Sequence, residues 1–326
     1  MNAPTAVPTS REEWEQRKIT YRHMLWSLLG DLPPLFTPQV ETLYIEQHEG
    51  YTLSHIQFDN GTGAIVYGYF LLPDPLQTPV AAVLYHHYHG GKHWIGKDEL
   101  LDDPISKQQR AIALVKAGYA VLAIDAIGFG ERQYQGPGGK RDAGVATEHA
   151  LVKHLLWHGS TLWGMMVHDD LLALNYLVTR PEIDPTRIAA TGMSLGASRT
   201  TWIAALDDRI KVCIPVAQMT RYQDYAEQGD YSSHGFYYYV PGIIKAGIDM
   251  EIIASLTAPR AQLVLIGDND PLSPINGIRI VDQFAQQVYA LYDAKATYET
   301  RIYPGIAHTY TPEMLTAMLD GLNRYL

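Results

Sequence analysis

Residues 188–196 have the sequence Ile188-Ala189-Ala190-Thr191-Gly192-Met193-Ser194-Leu195-Gly196. A short apolar run, typical of a buried strand, leads into the pattern Gly-x-Ser-x-Gly, and a helical pattern begins at Leu195. In this context the serine stands on a sharp turn between strand and helix, and a glycine on each side avoids collision with neighbouring strands. The stretch predicts a nucleophilic hydroxyl at Ser194, and the alternative is a plain glycine-flanked turn.

Short, continuous apolar runs recur on both sides of this stretch, with helical patterns between them. Because such runs lack the alternation of a half-exposed strand, they indicate strands that are buried on both faces. Strands that alternate with helices predict a mostly parallel central sheet flanked by helices, an α/β fold. The predicted strands are 80–85, 120–124, 188–190, 212–216, 263–266 and 297–302, and the predicted helices are 106–117, 162–179, 195–206, 274–291 and 312–325.

The N-terminal part follows a different pattern. An amphipathic helix is predicted at 12–29, and three strand-like runs after it predict an antiparallel meander. These three runs are 42–47, 52–58 and 64–72. We therefore predict an N-terminal helical extension at 1–40 and one catalytic domain at 41–326. The connection at about 218–260 is too long for an ordinary crossover and is predicted to be a lid-like insertion.

Composition excludes several classes of protein. The chain has 25 basic and 35 acidic side chains, a net charge of 25 − 35 = −10, which argues against a nucleic-acid partner because such proteins need a basic face. Its sequence contains neither a run of ~18 apolar residues nor a signal-peptide pattern, so we expect no membrane partner and a cytoplasmic location. Cys213 is the single cysteine, which excludes an internal disulfide and a cysteine-type zinc site.

A serine hydroxyl needs a base to take its proton, and in proteins with this motif the acid and the histidine follow the serine along the chain. His308 lies on a loop after the last predicted strand. The preceding strand runs into Gly267-Asp268-Asn269-Asp270-Pro271. We prefer Asp270 to Asp268 as the acid because Asp270 has a Gly-x-x-Asp-x-x-x-Pro spacing. The other aspartate is expected to form or cap a turn.

The loop after strand 80–85 begins with Tyr85-His86-His87-Tyr88-His89-Gly90-Gly91. Acyl transfer needs N–H donors where negative charge develops, and we predict the backbone amides of Leu195 and Tyr88 as this oxyanion hole. Imidazoles are common metal ligands, so the histidines here could instead bind a metal. No His-Glu-x-x-His pattern completes such a set, and we expect no metal and no cofactor.

Six segments of the chain carry a resemblance to a known family. They are His86-His87-Tyr88-His89-Gly90-Gly91, Gly96-Lys97-Asp98-Glu99-Leu100, Asp125-Ala126-Ile127-Gly128-Phe129-Gly130-Glu131-Arg132, Arg180-Pro181-Glu182-Ile183-Asp184-Pro185-Thr186-Arg187-Ile188, His234-Gly235-Phe236-Tyr237-Tyr238-Tyr239-Val240-Pro241-Gly242 and Ala258-Pro259-Arg260. With these segments, residues 12–325 resemble the α/β-hydrolase superfamily, in its branch of dienelactone hydrolase-like and acetyl xylan esterase-type proteins. The resemblance implies an α/β-hydrolase fold, esterase chemistry and a triad of Ser194, Asp270 and His308. Dienelactone hydrolases proper are expected to carry cysteine in the motif, so serine points to ordinary carboxylic esters. The family includes carbohydrate deacetylases, and it therefore indicates the reaction better than the substrate.

Tyrosine is unusually frequent, with 22 residues against 6 Phe and 6 Trp. Six of them lie in the predicted insertion: Tyr222, Tyr225, Tyr231, Tyr237, Tyr238 and Tyr239. An apolar ring with a polar tip suits sugar rings and aromatic acyl groups. We expect His89, His234, Tyr237 and Tyr238 to bind substrate, whereas the alternative is that the tyrosines only pack the insertion onto the body of the protein.

Together these features predict a serine esterase that cleaves small-molecule carboxylic esters through an acyl-enzyme. Short-acyl esters and the acetyl or aromatic esters of carbohydrates are the expected substrates. The alternatives are a serine peptidase or amidase on the same fold and a non-catalytic binding protein that kept the fold. Whether the chain forms a homo-oligomer is left open.

Overall fold

A nine-stranded sheet runs through the computed structural model, which describes residues 5–76 and 79–326. The strands are β1 (Glu41–His48), β2 (Tyr51–Asp59), β3 (Ile65–Pro73), β4 (Val80–His86), β5 (Ala120–Ile124), β6 (Ile183–Met193), β7 (Ile210–Val216), β8 (Ala261–Gly267) and β9 (Tyr298–Tyr303). Their order across the sheet is β1-β2-β3-β5-β4-β6-β7-β8-β9. Strands β4 to β9 are parallel, whereas β1, β2 and β3 pair antiparallel and β3 joins β5 in antiparallel register. The predicted meander and the predicted parallel sheet are both confirmed.

Helices cover both faces of this sheet. They are α1 (Arg11–Leu29), α2 (Arg110–Lys116), α3 (Val145–Trp157), α4 (Leu162–Leu177), α5 (Leu195–Leu206), α6 (Tyr222–Gln228), α7 (Met250–Ser255), α8 (Ile275–Ala290) and α9 (Pro312–Tyr325). Apolar side chains of α2 and α9 pack on one face, and those of α1, α4, α5, α7 and α8 pack on the other. The predicted α/β fold class is confirmed. Across residues 5–76 and 79–326, none of the helices combines the length and apolar character that crossing a bilayer requires.

Strand β4 shows why the central strands do not alternate in sequence. Ala82 and Leu84 belong to the hydrophobic cluster on one face, and Val83 and Tyr85 belong to the cluster on the other. Both faces of the strand are buried under helices, so an apolar residue is needed at each position. The carboxyl ends of these parallel strands meet at one edge, where the loops that carry chemistry are brought together.

Outside the long connection between β7 and β8, two helices differ from the sequence-based expectation. Helix α2 begins at Arg110 instead of 106, because Lys107 has a φ of 59° and the Ser106 hydroxyl bonds the Asp103 carboxylate. Helix α3 was not predicted. It starts after Gly144, which has a φ of 56° and supplies no side-chain cap, so the usual signal of a helix start is missing there.

The long connection between β7 and β8 contains α6, α7 and two short 3-10 turns, Tyr231–Ser233 and Phe236–Tyr238. Its first half lines a cavity together with Ser194. Its second half is core, since Ile252 and Ile253 of α7 have no exposed surface. The connection is thus partly cavity wall and partly interior, and its lid-like behaviour stays a prediction.

Candidate active site

Ser194 stands at the turn between β6 and α5, with φ 56° and ψ −115°. This is a strained conformation for a residue with a side chain, and strain of this kind concentrates at functional sites. The flanking glycines are required by close approach of β4: a Cβ on Gly192 or Gly196 would lie 2.3 or 2.0 Å from the backbone oxygen of His86. The turn predicted from the Gly-x-Ser-x-Gly pattern is therefore present, and its glycines have the expected steric reason.

The structure brings Ser194, His308 and Asp270 into one hydrogen-bonded row. Ser194 Oγ lies 2.8 Å from His308 Nε2, and His308 Nδ1 lies 2.7 Å from Asp270 Oδ2. A carboxylate only accepts, so Nδ1 carries the hydrogen and Nε2 is left as the acceptor of the serine proton. This is the arrangement in which an imidazole can act as a general base toward a hydroxyl.

Of the two donors predicted for an oxyanion, Leu195 is suitably placed. It is the first residue of α5, so its N–H has no acceptor within the helix and points from the positive end of the helix dipole. A negatively charged oxygen next to Ser194 would be stabilised there.

The prediction that Tyr88 supplies the second oxyanion donor is wrong. Its backbone N–H donates to Glu99 Oε2 at 2.8 Å, and its hydroxyl donates to Asp103 Oδ1 at 2.9 Å. Glu99 is fully buried, and burial raises its pKa to about 7 although the Arg110 guanidinium opposes the rise. Because Glu99 lies 11 positions further along the chain, the loop sequence gave no sign that this amide was already bonded.

A cavity of about 630 Å³ opens beside the catalytic row. Ser194 and His308 line it, and so do three of the four residues predicted to bind substrate, namely His89, His234 and Tyr238. Among the described residues the remainder of the lining comes from the loop after β4, from α3, from the first half of the long connection and from Leu272 after β8. The volume is in the range of sites that hold small molecules.

Tyr237 does not line this cavity, and the prediction that it binds substrate is wrong. Its side chain has no exposed surface, and its hydroxyl donates to the backbone oxygen of Ile127 at 3.0 Å. Its ring contacts the rings of His89 and Phe129. Successive residues of a 3-10 turn point in different directions, so three consecutive tyrosines cannot all face one cavity.

His234 stacks on Tyr225, with ring centroids 3.8 Å apart. Burial, together with the neighbouring His308, lowers the pKa of His234 to about 4. Its imidazole is therefore neutral at pH 7 and presents a flat, polar surface to the cavity.

Glu148 is a site residue that sequence reasoning missed, because it lies on the unpredicted helix α3. Its Oε2 is 3.0 Å from both His89 Nε2 and His93 Nε2, and its Oε1 accepts the backbone N–H of Phe236. Burial by itself raises the pKa of Glu148, but the hydrogen bonds from the two histidines outweigh it and lower the pKa to about 2. The carboxylate is thus ionised and joins α3, the loop after β4 and the long connection.

His89, His93 and Glu148 also form a group that could hold a metal ion, since their ligand atoms lie within 4.8 Å of one another. The hydrogen bonds argue against this use. Gly91 N–H donates to His89 Nδ1 at 3.0 Å, so the neutral ring carries its hydrogen on Nε2 and donates to Glu148. A metal on Nε2 would require the hydrogen on Nδ1, facing the Gly91 N–H. The expected absence of a metal stays a prediction, with this tautomer as its support.

Comparison with known proteins gives a family match over more than half of the chain. Residues 39–227, which include Ser194, match the family model described as acetyl xylan esterase (AXE1). The chain is 38% identical over 271 residues to the "Putative hydrolase YtaP" of Bacillus subtilis (strain 168), a match that covers 82% of this chain and 87% of that protein.

Solved structures are similar in fold at low sequence identity. The "putative acetyl xylan esterase" from Bacteroides fragilis NCTC 9343 has a TM-score of 0.74 at 19% identity, covering 92% of this chain and 77% of that one. The glucuronoyl esterase from Solibacter usitatus has a TM-score of 0.72 at 14% identity, covering 99% and 97%. These likenesses support the α/β fold described above.

Proposed function

Because the chain belongs to the acetyl xylan esterase family and is a carboxylic ester hydrolase, we propose that it cleaves esters through an acyl-enzyme formed on Ser194. Support comes from one observation above all: the row from Ser194 Oγ to His308 Nε2 at 2.8 Å and from His308 Nδ1 to Asp270 Oδ2 at 2.7 Å. The row includes a serine in a strained turn at a helix N-terminus, which is the placement that such a nucleophile needs.

In the proposed reaction, Ser194 Oγ attacks the ester carbonyl while its proton passes to His308 Nε2. Asp270 keeps the imidazole in the required tautomer and stabilises it once it is charged. The Leu195 amide donates to the oxygen that becomes negative. The alcohol leaves with the proton from His308, and a water molecule, deprotonated by the same imidazole, then releases the carboxylic acid and frees Ser194.

For the substrate we propose a short-acyl ester of a small molecule, with an acetyl group on a carbohydrate as the leading candidate. The family and the cavity of about 630 Å³ support this choice, because the cavity combines rings with polar tips, such as Tyr238 and His234. Such side chains can stack on a sugar face and bond its hydroxyls. The absence of nucleic-acid and membrane partners and the cytoplasmic location stay predictions.

The experiment is hydrolysis of p-nitrophenyl acetate and of an acetylated methyl xyloside by the protein and by Ser194→Ala. We expect activity to fall by at least ~10³-fold in Ser194→Ala, since the residual rate comes from the remaining groups alone. Ser198→Ala is the matched control, because Ser198 is buried one turn further along α5 and outside the catalytic row. Equal activity of Ser194→Ala and the unmodified protein would refute the proposed mechanism.

A matched anilide substrate separates the peptidase alternative from the esterase. Turnover of the anilide at a rate comparable to that of the ester would favour the peptidase. Labelling with a fluorophosphonate, followed by mass spectrometry of the labelled peptide, tests separately whether Ser194 is reactive at all.

A further inference from the structure

A second cavity, of about 260 Å³, lies within the long connection, beside the cavity of Ser194. Three residues, Tyr231, His234 and Tyr238, line both cavities. The rings of His234 and Tyr238 pack against each other with centroids 4.8 Å apart, and Tyr231 is 52% exposed. A molecule in the second cavity would therefore contact side chains that also face a substrate at Ser194.

The wall of the second cavity is mostly aromatic and aliphatic. The aromatic rings include Tyr222 and Tyr225 of α6, and the aliphatic side chains are Val240, Ile243 and Ile244. An apolar cavity of about 150 Å³ in another protein is large enough to bind benzene. The second cavity can thus hold one aromatic ring with a small substituent.

Gln218 is a polar residue of this wall, and its side chain lacks a partner. It is 6% exposed, and within residues 5–76 and 79–326 its amide group makes no hydrogen bond to the backbone or to another side chain. Buried amides are nearly always hydrogen-bonded, because an unsatisfied donor or acceptor costs free energy. A ligand that carries an oxygen atom can supply the missing partner.

Arg221 also lines the cavity, but carboxylates already balance its charge. Its guanidinium lies 3.1 Å from Glu251, 3.3 Å from Asp224 and 3.8 Å from Asp249. Three carboxylates around one guanidinium leave no excess of positive charge, which disfavours an anionic ligand. A sugar is also disfavoured, because its many hydroxyls need partners that a mostly apolar wall does not offer. An alkyl chain would leave the Gln218 amide unsatisfied.

We propose that the second cavity binds one neutral aromatic ring with a hydroxyl or methoxy substituent, and that the substituent bonds the Gln218 amide. The ring can come from two sources: the aromatic part of an ester held at Ser194, or a free phenol that binds beside the substrate. The first source rests on the proposed ester hydrolysis. Binding of the ring itself does not depend on Ser194, because the ring contacts the wall alone.

Binding of guaiacol (2-methoxyphenol) to the full chain, measured by ligand-observed NMR and titration calorimetry, tests the cavity. We expect a dissociation constant of roughly 0.1–10 mM. Ala226→Phe fills the cavity from a half-buried position on α6 and should weaken binding at least ~10-fold. Gln218→Met keeps the side-chain length and should weaken it by roughly five-fold, the size of one hydrogen bond. Ala246→Phe is the matched control, because Ala246 is half-buried in the same connection and lines neither cavity.

Two esters distinguish the sources of the ring. Ethyl ferulate carries the methoxyphenol ring of the probe, and ethyl acetate carries no ring. If the ring belongs to the substrate, Ala226→Phe raises KM for ethyl ferulate by about the factor lost in guaiacol binding and leaves ethyl acetate unchanged. If the ring belongs to a free phenol, guaiacol changes the hydrolysis of ethyl acetate by the unmodified protein but not by Ala226→Phe.

The proposal is overturned if guaiacol does not bind below about 50 mM. It is also overturned if Ala226→Phe binds guaiacol as well as Ala246→Phe does, if Gln218→Met leaves the affinity unchanged, or if neither ester result is seen. Ser194→Ala should bind guaiacol like the unmodified protein, so failure of the serine mechanism would appear in its activity and not in this binding.

Discussion

Asp268 and Asp270 lie two residues apart after β8, and their carboxylates bond different partners. Asp268 Oδ1 accepts the backbone N–H of Gly305 at 2.6 Å, on the exposed side of the loop. Asp270 is buried, and its two oxygens accept from His308 Nδ1 at 2.7 Å and from the Leu272 amide at 2.8 Å. The Leu272 contact fixes the carboxylate, so Asp270 can hold the imidazole in one orientation, whereas Asp268 braces the loop that carries it.

Asp270→Asn should therefore be nearly inactive. The amide group can donate to His308 Nδ1 and favours the tautomer with the hydrogen on Nε2, which cannot accept the Ser194 proton. We expect kcat for p-nitrophenyl acetate to fall by about 10³- to 10⁴-fold. The neighbouring change Asp268→Asn should lower kcat by no more than roughly three-fold. A comparable loss in both variants would show that the two carboxylates support the site in the same way.

The sequence predicts the positions of some site residues but not of others. Ser194 lies in a local motif whose neighbours are contiguous, and His308 and Asp270 follow from the order of strands, so all three could be predicted. The positions of Tyr88 and Tyr237 depend on partners elsewhere in the chain: a buried Glu99 takes the Tyr88 amide, and Tyr237 donates to a backbone oxygen 110 residues away. No local pattern reports such contacts.

At the level of elements, Glu148 of α3 connects three segments that form the cavity. It accepts from His89 and His93 of the loop after β4 and from the Phe236 amide of the long connection. Its side chain is 2% exposed, so the charge is stabilised by these donors instead of by water. A glutamine in its place would turn an N–H group toward N–H donors and leave part of the group unsatisfied.

Glu148→Gln should destabilise the protein most near neutral pH. The pKa falls from 4.5 to about 2 on folding, so between these values the unfolded chain binds more protons. The carboxylate therefore contributes its full stability above pH 4.5 and loses it as the pH falls toward 2. A shift of this size corresponds to about 3 kcal/mol. Urea unfolding at pH 7, 4 and 3 should show a difference between the two proteins that shrinks with acid.

Glu227→Gln serves as the control for that measurement, because Glu227 is exposed on α6. Its free energy of unfolding should stay within ~0.5 kcal/mol of the unmodified protein. A constant difference between Glu148→Gln and the unmodified protein from pH 7 to 3 would contradict the ionisation argument and leave only a packing defect.

For the whole molecule, the fold could be predicted because its pattern is repeated along the chain. Strand β4 is apolar from Val80 to Tyr85 because helices bury both faces, and the same rule identifies its parallel neighbours. The sequence does not predict how the N-terminal helix α1 packs against the rest of the protein. Trp14 of α1 is fully buried and packs edge-on against Phe284 of α8, with ring centroids 6.1 Å apart. Local sequence patterns do not predict a contact between residues so far apart in the chain.

Trp14→Ala tests whether 1–40 is a separate extension or part of one cooperative unit. Loss of a large buried ring costs about 3–5 kcal/mol, so urea unfolding should remain a single transition with a lower midpoint. Ile19→Ala on the exposed side of α1, where Ile19 is 67% exposed, should change stability by less than ~0.5 kcal/mol. Because Trp14 packs against α8 and is not among the residues that line the Ser194 cavity, kcat at 20 °C should be retained while folding persists. A main transition unchanged by Trp14→Ala, with only an added early step, would show instead that α1 unfolds independently of the sheet.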